Sequence, residues 1–286
     1  MAYTFADAKA ADRHTTQYFE MFGNRAIYHD GWVAATRHST PWLATANLPK
    51  FSEDRWELYN VAQDFSQAND LAAQNPAKLK ELQALFDKEA VKNHVYPLDD
   101  RRVERFDARI AGRPDLMGPR RSLVLYEGMT GITENTFINL KSQSHTVTAE
   151  VEVPPAGASG VIISQAGRFG GWSLFMKDGR VSYVYNYGGL EWYTASSPQA
   201  LSPGRHTLLY DFTWGGGKPG TGGVGRLSVD GQQVGEVAIQ RMMPFMYSAD
   251  EGVDVGTDNE TTVTEEYKEG ANRFTGKINK VTVALK

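Results

Sequence analysis

At 286 residues, with 41% hydrophobic and 22% charged side chains, the chain has the composition of a globular protein and the length for one large core or two smaller ones. Its formal net charge of -4 gives no overall attraction to nucleic acid or to an anionic lipid surface, so neither is expected as a partner. With no cysteine, disulfides, thiolate metal sites and cysteine nucleophiles are excluded.

The N-terminal MAYTFADAKAADRH turns polar within a few residues and has neither a signal-peptide nor a membrane-spanning run, so a cytoplasmic location is expected. RAIYHDGWVAAT places two apolar segments on either side of His29-Asp30-Gly31, which predicts a β-hairpin with an Asp-Gly turn. After WELYN the period becomes helical. Leu79, Leu82, Leu85, Phe86 and Ala90 recur at three- and four-residue steps, with Pro76 near the start and Asn75 as the N-cap. Residues 1–98 are therefore expected to form a small α+β subdomain, an antiparallel sheet with a packed helix. Residues 99–121, dense in charge and broken by Gly and Pro, read as a linker.

From residue 122 the period becomes two. HTVTAEVEVP, GVIISQA, GWSLFMKDGRVSYVYNY, LEWYTASS, GRHTLLYDFTW, GVGRLSVDGQQVGEVAI and FTGKINKVTVAL are strand candidates between Gly, Pro and Asp turns. The chain is thus expected to be mainly β, with a β-sandwich over 122–286. The meander around Asp178-Gly179 and Gly188-Gly189, repeated in form at Asp230-Gly231, resembles concanavalin-like and laminin-G-like jelly rolls. Trp172, Tyr185, Tyr187 and Trp192, together with Tyr183 and Tyr193, are candidates for a carbohydrate-binding face. Alternating aromatics in a half-buried sheet also serve as core and as cross-strand partners.

SADEGVDVGTDNETTVTEEY concentrates carboxylates, and Asp254 and Asp258 are candidate ligands for a calcium ion, which takes oxygen donors. Its spacing does not match a helix-loop-helix calcium loop, and a solvated acidic loop is the alternative. No other cofactor is expected.

The runs YFEMFGNRAIYHDGWVAATRHSTPW, WELYNVAQDFSQANDLAAQNPAKLKELQALFDKEA and NHVYPLDDR resemble the C-terminal part of bacterial arylsulfatases, and the later GGWSLFMKDGRVSYVYN, SADEGVDVGTD and FTGKINKV are similar to a β-sandwich extension of some of those enzymes. The resemblance implies a subdomain that brings basic groups to the rim of a sulfate pocket. A lysine directly after Gly-Trp is often among them, and Val33 stands at that place here. Arg37 and His38 are then the candidate rim residues, with His29 and His14 behind them, because a sulfate anion suits a guanidinium fork or an imidazolium. Each also has a structural reading: His29 as a turn residue, Arg25 as the partner of an acid, Trp32 and Trp42 as packing.

The catalytic half of such an enzyme is missing. The family's formylglycine arises from Cys or Ser in a Cys/Ser-x-Pro/Ala-x-Arg motif, which this chain lacks, and the metal cage of the N-terminal domain has no counterpart. The expectation is an arylsulfatase-like C-terminal fragment, inactive alone, whose partner would be a sulfatase catalytic domain. Self-association through the Leu79–Ala90 helix or the FGNRAIY strand is also expected. The alternative is a carbohydrate-binding or adhesive β-sandwich module. An independent hydrolase ranks last, for want of a Gly-x-Ser-x-Gly elbow or a His-Glu-x-x-His helix.

Overall fold

A computed structural model describes residues 2–7, 9–11, 13–40, 48–102, 105 and 111–286. The chain divides into two compact units, Met1–Arg105 and Phe106–Lys286. Trp42 and part of the expected linker lie outside the described residues.

In the first unit, strands β1 (Thr16–Met21), β2 (Asn24–His29), β3 (Trp32–Thr36) and β4 (Trp56–Asn60) form an antiparallel meander in that order. The expected hairpin is present. Asp30 and Gly31 take φ values of 44° and 80°, the mirror-image turn whose twist matches the strands it joins, and His29 pairs with Trp32. The 17-residue helix α1 (Pro76–Lys92) lays Leu82, Phe86 and Ala90 on Ile27, Ala34 and Leu58. The helical period therefore exists because one face has this sheet to cover. Asn75 sits at the N-cap, but it makes no capping bond: its Nδ2 donates to the Leu71 carbonyl at 3.3 Å. Asp70 instead ties the approach to β4, accepting from the Leu58 and Ala72 amides at 3.0 and 2.9 Å.

The second unit is a β-sandwich. One sheet has five strands in the order β10-β9-β8-β7-β14: β7 (Gly160–Gly167), β8 (Gly170–Lys177), β9 (Arg180–Tyr187), β10 (Glu191–Ser196) and β14 (Val253–Val255). The other has six in the order β13-β12-β11-β6-β15-β5: β5 (Ser122–Leu125), β6 (His145–Val153), β11 (Gly204–Trp214), β12 (Thr221–Val229), β13 (Gln232–Arg241) and β15 (Lys277–Leu285). All named pairings are antiparallel. The inner faces meet over a core that includes Val147, Val151, Trp172, Tyr183, Tyr210 and Phe212.

Strands β7, β8 and β9 are buried on both faces rather than alternately. Their second face packs a smaller cluster of Val161, Phe175 and Val184 beneath Val263 and Tyr267. Residues 257–272, which follow β14, thus run back across the outer face of the five-stranded sheet as a strap. Asn272 holds it, donating Nδ2 to the Asp258 carbonyl at 2.8 Å and accepting the Asp258 amide on Oδ1 at 2.9 Å. Val161 also donates to the Asn272 carbonyl at 2.8 Å.

Candidate functional site

The four candidate basic residues of the first unit do not converge. The side chain of His38 is fully buried. Its Nδ1 lies 2.9 Å from Asp54 Oδ1 and its Nε2 3.2 Å from Asp100 Oδ2, while its ring rests on Phe51 with centroids 4.3 Å apart. Arg25 pairs with the same Asp54 and places its guanidinium 5.4 Å from the Trp56 ring centre. Gly23 permits this packing: at φ 84°, a Cβ there would come within 2.6 Å of Phe51 and 2.9 Å of His38. His38 is a buried clamp, not a rim residue.

The other three are dispersed. His29 Nδ1 bonds Thr16 Oγ1 at 2.8 Å, and exposed His14 bonds Gln17 Oε1 at 3.0 Å. Arg37 is exposed beside a hollow of about 880 Å³ on the sheet face opposite α1, where Phe19, Ala26, Ala35 and Glu57 form one cross-strand row. None of the histidines lines that hollow. The apolar residues Leu82, Phe86 and Ala90 of α1 are buried against the sheet.

The aromatic candidates of the second unit separate by strand parity. Trp172 and Tyr185 point inward and are each 1% exposed. Trp172 donates Nε1 to Gln165 Oε1 at 2.8 Å, and Tyr185 accepts the Met243 amide at 2.8 Å. Neither can present a ring face to a ligand in solvent, which corrects their candidacy. Tyr187 is covered by the Arg241 guanidinium, 4.7 Å from its ring centre. Trp192 is different. It points outward and is 46% exposed, with Nε1 donating to the Val263 carbonyl of the strap at 3.0 Å.

Trp192 opens a groove of about 420 Å³ between the outer face of β8, β9 and β10 and strap residues 264–266. On β10, Trp192, Thr194 and Ser196 share one face because side chains alternate along a strand, and at ~3.3 Å per residue they span about 13 Å. Ser182 of β9 pairs with Ser196 in register, and their hydroxyls are 2.8 Å apart. Lys177 closes one end, its Nζ 2.5 Å from Glu266 Oε2. That hydrogen bond and the Glu266 charge raise the Lys177 pKa and keep the ammonium charged. Glu265 also lines the groove. A fixed, half-open indole beside a row of hydroxyls and charged hydrogen-bonding groups is equipped to bind a ring with one apolar face and polar edges.

Asp254 and Asp258 use their oxygens internally. Asp254 accepts from the Gly131 amide at 2.7 Å and the Asn259 amide at 2.9 Å. Asp258 accepts from Ser164 Oγ at 3.1 Å, the Val263 amide at 3.0 Å and the Tyr267 hydroxyl at 2.6 Å. Burial raises the Asp258 carboxyl to about 6, against the lowering effect of those three bonds. Part of the expected acidic loop is in fact strand β14, paired to β7 through Asp254 and Ser164. Among the described residues, no group of three or more His, Asp or Glu side chains is placed to hold a metal ion.

Sequence reading picked out Trp192 but not Ser182, Thr194, Ser196, Lys177, Glu265 or Glu266. The alternation W-x-T-x-S on β10 was the available signal. For the strap glutamates there was none, because nothing local shows that residues 257–272 return to β10.

The second unit is a β-sandwich of two antiparallel sheets that follows a small α+β unit in the chain. Among solved structures, the chain is similar to the CBM40 of Ruminococcus gnavus IT-sialidase bound to alpha2,3 sialyllactose (14% identity, 58% of this chain and 89% of that one, TM-score 0.41). It is similar also to domains LG4-5 of the mouse laminin alpha1 chain (16% identity, 60% of this chain and 40% of that one, TM-score 0.36). A third is the heptameric SAP-like pentraxin of Limulus polyphemus (15% identity, 58% of this chain and 78% of that one, TM-score 0.35). These are likenesses of shape, and no ligand is carried over from them. No protein-family model and no curated protein matches the chain.

The sulfatase and hydrolase reading is corrected. Sulfate-ester hydrolysis of that family's kind needs a formylglycine precursor and a metal cage, and their absence is why the fragment is expected to be inactive alone. The chain has no cysteine and no Ser-x-Pro/Ala-x-Arg run, and its described residues include no metal-ligating cluster. The basic side chains expected at a sulfate rim are a buried clamp, a dispersed pair of histidines and one exposed arginine.

Proposed function

We propose that the second unit is a carbohydrate-binding module and that the Trp192 groove receives the glycan. The observation that carries this reading is the indole of Trp192, 46% exposed and held by the Val263 carbonyl, lining one groove with the Thr194, Ser196 and Ser182 hydroxyls. The apolar C–H face of a pyranose would cover the indole, while the hydroxyl row and Glu265 would exchange hydrogen bonds with the sugar's equatorial groups. The length of the row suits a short oligosaccharide better than a single sugar.

Affinity electrophoresis through gels containing soluble polysaccharides tests it, comparing the full chain with Trp192→Ala. Retardation of the wild type and about tenfold weaker binding of the variant are expected, the scale of one lost aromatic contact in a small site. Equal mobility of both proteins in every gel that retards the wild type would remove the groove from consideration.

A further inference from the structure

The groove's charges go further than its shape. Three titratable side chains line it: Lys177, Glu265 and Glu266. Lys177 and Glu266 are bound to each other at 2.5 Å and offset one another. Beyond that end, Arg180 is the register partner of Lys177 and Asp178 lies in the turn between them, again one charge of each sign. Glu265 is exposed, with no ion pair or hydrogen bond among the described residues. Two carboxylates against one ammonium leave the groove at a formal -1, and the uncompensated charge is that of Glu265.

We propose that the groove selects glycans by charge: it takes cationic sugars with a free amino group in preference to neutral ones and disfavours sulfated or carboxylated ones, with Glu265 as the specificity-determining residue. This rests on the glycan-binding reading of the same groove. An ammonium on a sugar lying over Trp192 gains twice, from the Glu265 carboxylate and from the electron-rich indole face. A sulfate or carboxylate in that position meets the Glu265 carboxylate, and Lys177, the cation lining the groove among the described residues, is already committed to Glu266. An exposed ion pair of this kind changes affinity by about two- to fivefold at low salt, and less as salt rises.

The test measures binding of the full chain to three oligosaccharides of matched length: a cello-oligosaccharide, a fully de-N-acetylated chito-oligosaccharide and a heparin oligosaccharide. It is done at low salt in mildly acidic buffer, where the amines are charged. The wild type should bind the chito-oligosaccharide about two- to fivefold more tightly than the cello-oligosaccharide, with heparin weakest. Glu265→Gln, which keeps hydrogen-bonding capacity and loses the charge, should bring the affinities for the chito-oligosaccharide and the cello-oligosaccharide together. Heparin binding more tightly than the neutral sugar, or an unchanged preference in Glu265→Gln, overturns the charge selection and leaves glycan binding standing. Wild-type protein that binds none of the three, or Trp192→Ala that binds them all as well as the wild type, overturns both.

Discussion

Trp192 Nε1 donates to the Val263 carbonyl at 3.0 Å, and that same carbonyl receives Asn186 Nδ2, also at 3.0 Å. One oxygen of the strap therefore joins the buried centre of the five-stranded sheet to the exposed ring at its edge. The indole enters the groove already oriented, which lowers the ordering cost of binding.

Trp192→Phe separates orientation from area. Phenylalanine keeps a ring but has no donor for the Val263 carbonyl, so affinity should fall by about two- to fivefold, between wild type and the tenfold loss of Trp192→Ala. Isothermal titration with whichever oligosaccharide the wild type binds measures the order. Trp192→Phe binding as weakly as Trp192→Ala would show that the indole is needed for more than its face.

Asp258 makes strap stability depend on pH. Its carboxyl is raised from 3.8 to about 6 by burial, so the native state holds a proton that the unfolded chain has lost between those values. Its contribution is fully present below about pH 4 and declines as pH rises through about 6, by at most about 3 kcal/mol at 1.4 kcal/mol per pKa unit. Asp258→Asn has no charge to bury. The gap between the unfolding free energies of variant and wild type should therefore shift in the variant's favour from pH 4 to pH 7. Parallel pH profiles of the two proteins would contradict this.

His206 titrates through a pair. Its Nδ1 lies 2.7 Å from Asp230 Oδ2 and its Nε2 2.8 Å from the Ser202 carbonyl, and both partners accept hydrogen bonds. Desolvation lowers its pKa, but these bonds and the Asp230 charge outweigh it and the net shift is upward; the Asp230 pKa is correspondingly lowered. The imidazolium's contribution to stability is present below the unfolded value near 6.5 and is lost as pH rises through the raised one. The Asp230 contribution is present above 3.8 and is lost on acidification through the lowered value. A proton NMR titration should give His206 a lower pKa in Asp230→Asn than in the wild type, and an equal one would count against the pair.

His38 supports the first unit and not the glycan site. His38→Ala removes a hydrogen-bond partner of the buried Asp54 carboxylate, which keeps Arg25, a loss of about 1 to 3 kcal/mol. Hydrogen exchange of the β1 to β4 amides should accelerate, while binding at Trp192 stays as in the wild type. Unchanged protection across that sheet would return His38 to the list of rim candidates.

Local patterns in the chain settled much of this architecture. A three- and four-residue apolar step marks α1 wherever it docks, and Asp-Gly at 30–31, 178–179 and 230–231 supplies the positive φ that tight turns between strands require. Strand period two is equally local, and so were the sandwich and the absence of thiol chemistry legible in the residues themselves.

What the tertiary structure decided depends on contacts between distant residues. Trp172 and Trp192 are the same residue type on neighbouring parts of one meander, yet parity and the opposing six-stranded sheet bury the first and leave the second open. His38 reads as a basic rim residue until Asp54 and Asp100, 16 and 62 positions away, close around it. The strap is the largest such case. Its acidic composition suggests a solvated loop or a cation site, but Asn272, Val263 and Tyr267 fasten it across a sheet face more than 70 residues upstream. Periodicity reports which side chains share a face of their own element, whereas the burial of that face is set by whatever chain arrives to cover it.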